Sequence, residues 1–211
     1  MEEAKQNQPG DNWAAYYQAI EGRQPRPLFI AALARFAGSP ATQSPRNAID
    51  LGCGDGTETL VLLQHGWKVL AIDREPAAIA SVQSRARKEH LAQLEIKISA
   101  FEGLELPGAD FVYAGLSLPF CQPASFAPLW SGITASVRPG GRFAGHLFGE
   151  HDSWAGNPEM TFHALPQVKH LLAGSFEIEL LQEEERDGEA FSGPKHWHVF
   201  HLIARKAASR L

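Results

Sequence analysis

Cysteine is scarce in this 211-residue chain, which has two, Cys53 and Cys121. Two thiols build neither a disulfide framework nor a four-thiolate zinc site. An excess of positive charge is also missing. Lys and Arg number 19 against 24 Asp and Glu, a net charge of −5 with histidines neutral. A mildly acidic chain has no general attraction to nucleic-acid phosphate or anionic lipid. No apolar run approaches the roughly 20 residues that span a bilayer. The first residues, Met1-Glu2-Glu3-Ala4-Lys5, lack the basic-then-apolar order of a secretory signal. A soluble, cytoplasmic protein is the expectation. What is present fits that reading: 44% hydrophobic and 20% charged residues supply a core and argue against wholesale disorder. The length suits one domain over residues 1–211.

No internal repeat or low-complexity tract is visible. A Pro/Ser/Gly-rich stretch from Gly38 to Pro45 separates an N-terminal segment, residues 1–38, from a main body at 46–206. A second loop-like stretch runs from Gly149 to Pro158. The body alternates between strand and helix patterns. Strands are expected at Asn47–Leu51, Trp67–Ile72, Leu94–Ile98, Phe111–Ala114 and Arg142–Phe148. Helices are expected at Glu58–His65, Glu75–His90, Phe126–Val137 (stopped by Pro139-Gly140-Gly141) and Phe162–Leu172. Such alternation implies a parallel sheet. Two final strands, Phe176–Leu181 and Trp197–Ala204, have no helix between them. With Glu183 to Gly188 read as a turn, they predict an antiparallel hairpin.

The sharpest local pattern is Asp50-Leu51-Gly52-Cys53-Gly54-Asp55-Gly56-Thr57 at a strand-to-helix turn. Glycine there permits a tight turn and close approach of a ligand, at the end of the strand where open α/β sheets bind ligands. A dinucleotide fold spaces its glycines G-x-G-x-x-G to seat a pyrophosphate. Here the spacing is G-x-G-x-G, Thr57 takes the sixth place, and Asp50 would repel a diphosphate but attract an ammonium. Asp73, 21 residues past Gly52, ends the second strand and is placed to accept both hydroxyls of a ribose, with Arg74 beside an adenine edge. A ribose and an ammonium without a pyrophosphate describe S-adenosylmethionine.

The glycine segment resembles the first motif of class I S-adenosylmethionine-dependent methyltransferases, and the likeness extends over residues 47–205 in element order. It implies a Rossmann-like, doubly wound, mostly parallel α/β sheet of seven strands ending in the antiparallel hairpin. It places Asp50 near the methionine ammonium, Gly52, Cys53 and Gly54 under the methionine part, and Asp73 on the ribose. Ser99, Ala100 and Phe101 fall at the adenine, with Ser99 where the family commonly has Asp, and Ala114 falls beside the methyl group. Ser117-Leu118-Pro119-Phe120 keeps the Ser, one Pro and the aromatic of an amino-group methylation motif but has Leu118 for the other Pro. Ser117 and Phe120 are therefore read as shaping a small-substrate pocket. The segment around Trp13, Tyr17 and Arg23 is similar to the cofactor lid of thiopurine- and tellurite-resistance-type members.

The expected activity is transfer of a methyl group to a small-molecule acceptor, with no nucleic-acid or membrane partner. Two other readings are a non-catalytic S-adenosylmethionine-binding or regulatory module and a dinucleotide-dependent oxidoreductase, the second disfavoured by Asp50 and Thr57. His146, at the end of the fifth strand, is the candidate general base. His196, His198 and His201 invite a metal reading, but His201 falls on the opposite strand face from the other two. Satisfied strand histidines and no metal are expected.

Overall fold

The computed structural model describes residues 13–20, 22–37 and 45–207. Of the predicted Gly38–Pro45 loop, all but Pro45 lies outside them. The helices are α1 (Trp13–Ala19), α2 (Pro27–Ala34), α3 (Thr57–Gln64), α4 (Pro76–Arg85), α5 (Pro123–Ser136) and α6 (Leu165–Leu172). The strands are β1 (Asn47–Leu51), β2 (Lys68–Asp73), β3 (Leu94–Ile98), β4 (Ala109–Ala114), β5 (Val137–Gly149), β6 (Phe162–His163), β7 (Phe176–Ala190) and β8 (Gly193–Lys206). One sheet runs β3-β2-β1-β4-β5-β8-β7, with the two-residue β6 beside β5. The first five strands pair in parallel. β8 is antiparallel to both β5 and β7. The expected sheet is present, and β6 adds an eighth strand to the seven on the path.

Period-two alternation sets the two faces of β1. Ile49 and Leu51 pack into a cluster with Phe126 and Trp130 of α5 and Val168 and Leu172 of α6. Ala48 turns the other way, toward Phe29 of α2 and Leu62 and Leu63 of α3. Phe29, Leu62 and Leu63 are fully buried, and each such side chain contributes about 1.5–3 kcal/mol. Helices on both faces are what a parallel sheet requires.

Several expected boundaries move. The helix predicted to reach His90 ends at Arg85, Ala86 is extended, and a 3-10 turn follows at Lys88–Gln93. Arg85 and Lys88 would stack like charges at helical spacing. The helix predicted from Phe162 starts at Leu165, because Pro166 suits a first turn, and Phe162–His163 pairs with β5 instead. Pro139-Gly140-Gly141 does not stop a helix. It lies inside β5, whose register against β4 shifts between Ala109 and Phe111, and Gly140 takes φ +78°. Glu183 to Gly188 is not a turn but strand, and the hairpin reverses at Phe191 and Ser192.

Candidate active site

The β1–α3 turn is held by the end of β2. The amides of Gly52 and Cys53 both donate to the Ile72 carbonyl, at 2.8 and 2.9 Å. Asp73 accepts from the amides of Gly54 and Glu75, each at 2.9 Å. These bonds fix its carboxylate at the carboxyl edge of the sheet. Burial raises the Asp73 pKa, and the two amide bonds oppose the shift. Gly52 sits at φ +70°, and a Cβ there would collide with that of Ser117. Ser117 is held in place because its hydroxyl donates to the Leu51 carbonyl. Just before it, Leu116 has φ +62°, the one non-glycine residue with positive φ among those described. Strain of this kind, costing about 1–3 kcal/mol, concentrates where a ligand is held.

Asp50 is 2% exposed and accepts the Thr59 hydroxyl at 2.6 Å. Burial, assisted by the nearby Glu58 charge, pushes its pKa up to about 7. Glu58, in the first turn of α3, receives both terminal nitrogens of Arg23 and the amide of Arg26, the latter at 3.1 Å. Arg23 also reaches Asp55 at 3.2 Å. Burial raises the pKa of Glu58, but the Arg23 bonds outweigh it and hold the carboxylate below its usual range. This ion-paired knot anchors the segment after α1 to the glycine turn. Burial raises the Cys53 pKa well above its ordinary value, so the thiol is protonated and packs as a small apolar group.

α1 roofs the turn. The Tyr17 hydroxyl faces Asp73, and the Trp13 ring lies 4.9 Å from Phe120, edge on. The Arg74 guanidinium sits 5.8 Å from the Trp13 ring centre. Beneath is a cavity of about 570 Å³, within the range of small-molecule sites. Of the residues expected from sequence, Asp50, Gly52, Cys53, Gly54, Asp73, Arg74, Ser99, Ala100, Phe101, Trp13, Tyr17, Arg23, Ser117 and Phe120 all line it. The Ser99 hydroxyl donates to the neighbouring Ala100 carbonyl.

Two expected residues do not line the cavity. Ala114 is fully buried in the sheet, and Gly115 takes its place at the wall. His146 is 4% exposed, with its ring 5.0 Å from that of its cross-strand partner His201. Burial drives its pKa well below the ordinary imidazole value. It stays neutral and is not among the residues that line the cavity.

Sequence reasoning missed the wall formed by Phe148, Trp154, Glu189, Ala190, Phe191, Ser192 and Trp197. Trp154 lies in the Gly149–Pro158 loop that composition marked out. The hairpin tip carried no local signal. Farther along the hairpin, histidines face carboxylates: His196 meets Asp187 at 2.7 Å, His198 meets Glu183 at 3.0 Å, and His201 meets Glu184 at 2.9 Å. His151, Glu185 and His198 bring one candidate ligand atom each within 4.8 Å of one another. The Nδ1 of His198 accepts the His151 amide at 3.1 Å. In the neutral ring the proton is therefore on Nε2, which leaves no lone pair there for a cation.

Residues 48–141 match the family model of a methyltransferase domain. Hemagglutinin 1 of Eikenella corrodens is 34% identical over 103 residues, 47% of this chain and 33% of that protein. Trans-aconitate 2-methyltransferase of Acidovorax ebreus strain TPSY is 30% identical over 132 residues, 62% of this chain and 47% of that protein. The chain thus spans between a third and a half of the length of these relatives. The crystal structure of TehB from Haemophilus influenzae superposes with a TM-score of 0.72 at 16% identity, covering 92% of this chain and 67% of that one. No helix among the described residues is long and apolar enough to cross a membrane. The glycine turn, the strand order and the antiparallel final strands thus give the chain a Rossmann-like methyltransferase fold, with the methyltransferase-domain match lying over its first five strands.

Proposed function

We propose that this protein transfers a methyl group from S-adenosylmethionine to a small-molecule acceptor, as one cytoplasmic domain with no nucleic-acid partner. The observation that carries the reading is Asp73, its carboxylate fixed by two backbone amides beside a glycine turn that presents no pyrophosphate cradle. Each Asp73 oxygen keeps acceptor capacity beyond its amide bond, so the pair suits the two hydroxyls of a ribose. Asp50 supplies buried negative charge for the methionine ammonium. Tyr113 and Arg23 line the cavity, and Tyr113 Oη and Arg23 Nε are buried without a partner among the described residues. Two orphan donors at that end suit the methionine carboxylate, because an unmet buried donor costs about 1–3 kcal/mol. The residues present therefore fit the cofactor.

When bound, the cofactor supplies an electrophilic methyl on a sulfonium whose departing thioether needs no proton. The chain's part is alignment and exclusion of water. The strained Gly115-Leu116-Ser117 segment fixes one wall, and α1 covers the top. Since His146 lies off the cavity, an acceptor whose attacking atom already has a free lone pair needs no protein base. The cavity beyond the cofactor residues leaves space for an acceptor, which disfavours a binding-only module. Calorimetric titration with S-adenosylhomocysteine tests the cofactor assignment. Affinity in the micromolar range is expected, and no heat at millimolar ligand would reject it.

A further inference from the structure

The part of the cavity away from Asp50 and Asp73 is walled by aromatic rings. Phe120, Phe148, Trp154 and Trp197 form one packed group: Phe120 lies 6.4 Å from Phe148 and 6.3 Å from Trp154, and Trp197 lies 5.8 Å from both Phe148 and Trp154. At the rim, Phe191 of the hairpin tip is 59% exposed and meets Tyr16 of α1 edge on at 6.0 Å. A large ring left in solvent at a cavity mouth is the surface an apolar ligand covers.

Charge is distributed to match. Among the described residues that line the cavity, the cations are Arg23, Arg26 and Arg74. Arg23 and Arg26 are held by Glu58, and Arg74 by Glu75, all at the cofactor end. The cation closest to the aromatic wall, Lys195, sits behind it. Its Nζ is 3.8, 4.6 and 5.2 Å from the ring centres of Trp154, Trp197 and Phe148. The ammonium is ion-paired with Asp152, and its side chain is 1% exposed. It braces the rings and is not open to a ligand. Glu102 and Glu189, both exposed, add negative charge to the lining. An acceptor carboxylate placed there would lose its hydration and find no cation.

Resting on the methyl-transfer reading above, we propose that the acceptor is a flat aromatic or heteroaromatic molecule, neutral or cationic, methylated at a ring or ring-borne nitrogen. The nitrogen lone pair forms the new N–CH₃ bond while the S–CH₃ pair returns to sulfur. The positive charge passes from sulfur to the nitrogen, and any N–H proton then leaves to water. Ring faces and the Glu189 carboxylate favour that charge as it develops. Polycarboxylates such as trans-aconitate belong to the class this wall rejects.

Calorimetry on the full chain decides it. Isoquinoline and 4-aminoquinoline are titrated against trans-aconitate and citrate, each with and without S-adenosylhomocysteine. The aromatic probes are expected to bind at least about tenfold more tightly than either polycarboxylate. Trp154→Ala and, at the exposed rim where folding is not at stake, Phe191→Ser should each weaken the aromatic probes several-fold. Tighter binding of trans-aconitate, or aromatic binding indifferent to both substitutions, would overturn the acceptor class. Absent S-adenosylhomocysteine binding would overturn the cofactor reading alone, since the arm without it still ranks the acceptors.

Discussion

The Tyr17 hydroxyl lies 3.4 Å from each of the two carboxylate oxygens of Asp73. A residue of the roof thus sits over the group that ends β2, straddling both oxygens. Burial and the nearby Asp73 charge raise the Tyr17 pKa, so this phenol is a donor throughout the working pH range.

Asp73 has two tasks, and its substitution should separate them. Asp73→Ala strands the Gly54 and Glu75 amides, so urea unfolding should show a loss of about 1–3 kcal/mol. Affinity for S-adenosylhomocysteine should fall further, by about 1.5–3 kcal/mol for each charge-assisted bond removed. Calorimetry reads the second effect, and unchanged affinity in a folded variant would dismiss the ribose assignment.

Gly52→Ala should damage the turn in two independent ways. Its positive φ costs a side chain about 1–2 kcal/mol, and the new methyl meets Ser117. Adding Ser117→Gly removes the collision but not the strain, so the double variant should recover part of the lost unfolding free energy. Full recovery, or none, would contradict this division.

Asp50 gives the cofactor-free protein a pH dependence. Its folded pKa of about 7 stands above the ordinary 3.8. Between those values the folded state keeps a proton that the unfolded chain has released, so stability declines as pH rises through that window. The loss is complete once pH passes the folded value. Asp50→Asn should flatten the corresponding part of a urea-midpoint profile from pH 4 to 8. In the native protein, an ammonium beside Asp50 favours ionisation. Cofactor binding near pH 6 should therefore release a proton, seen as heats that vary with buffer ionisation enthalpy.

Lys195 and Asp152 are buried as a pair. Lys195→Met leaves the aspartate alone and should cost about 3–5 kcal/mol, while Lys195→Met with Asp152→Asn removes the unpaired charge, keeps an acceptor for the Trp154 and His198 amides, and should regain part of it. Thermal unfolding of the three proteins provides the comparison.

The parts of this molecule legible in sequence are those whose local chemistry is unambiguous. Asn47–Leu51 and Leu94–Ile98 fall where expected, and the glycine turn with Asp73 marks the cofactor end of the cavity. The outer hairpin was not legible. Glu183 to Asp187 looks like a solvated turn because its neighbours along the chain are charged. It is a strand because it pairs with residues His196–Phe200 of β8, and its carboxylates meet the side chains of His196, His198 and His201, a pairing that sequence spacing does not show. Trp154 and Trp197 meet only after β5, its following loop and β8 are assembled. His146 illustrates the reverse: strand-end position suggested chemistry, yet the ring is buried against His201 and is not among the residues that line the cavity.

The reach of the hairpin has a consequence for how such proteins diversify. β5 pairs with β8 only from Val199 onward, so residues beyond that point pair with β7 alone. The cavity wall at Glu189–Ser192 stands at the end of this two-stranded arm. Adding or removing one residue from each strand would lengthen or shorten the arm in step without disturbing any pairing in the main sheet. Acceptor choice can therefore drift through small, balanced length changes in a lineage while the cofactor half is inherited intact.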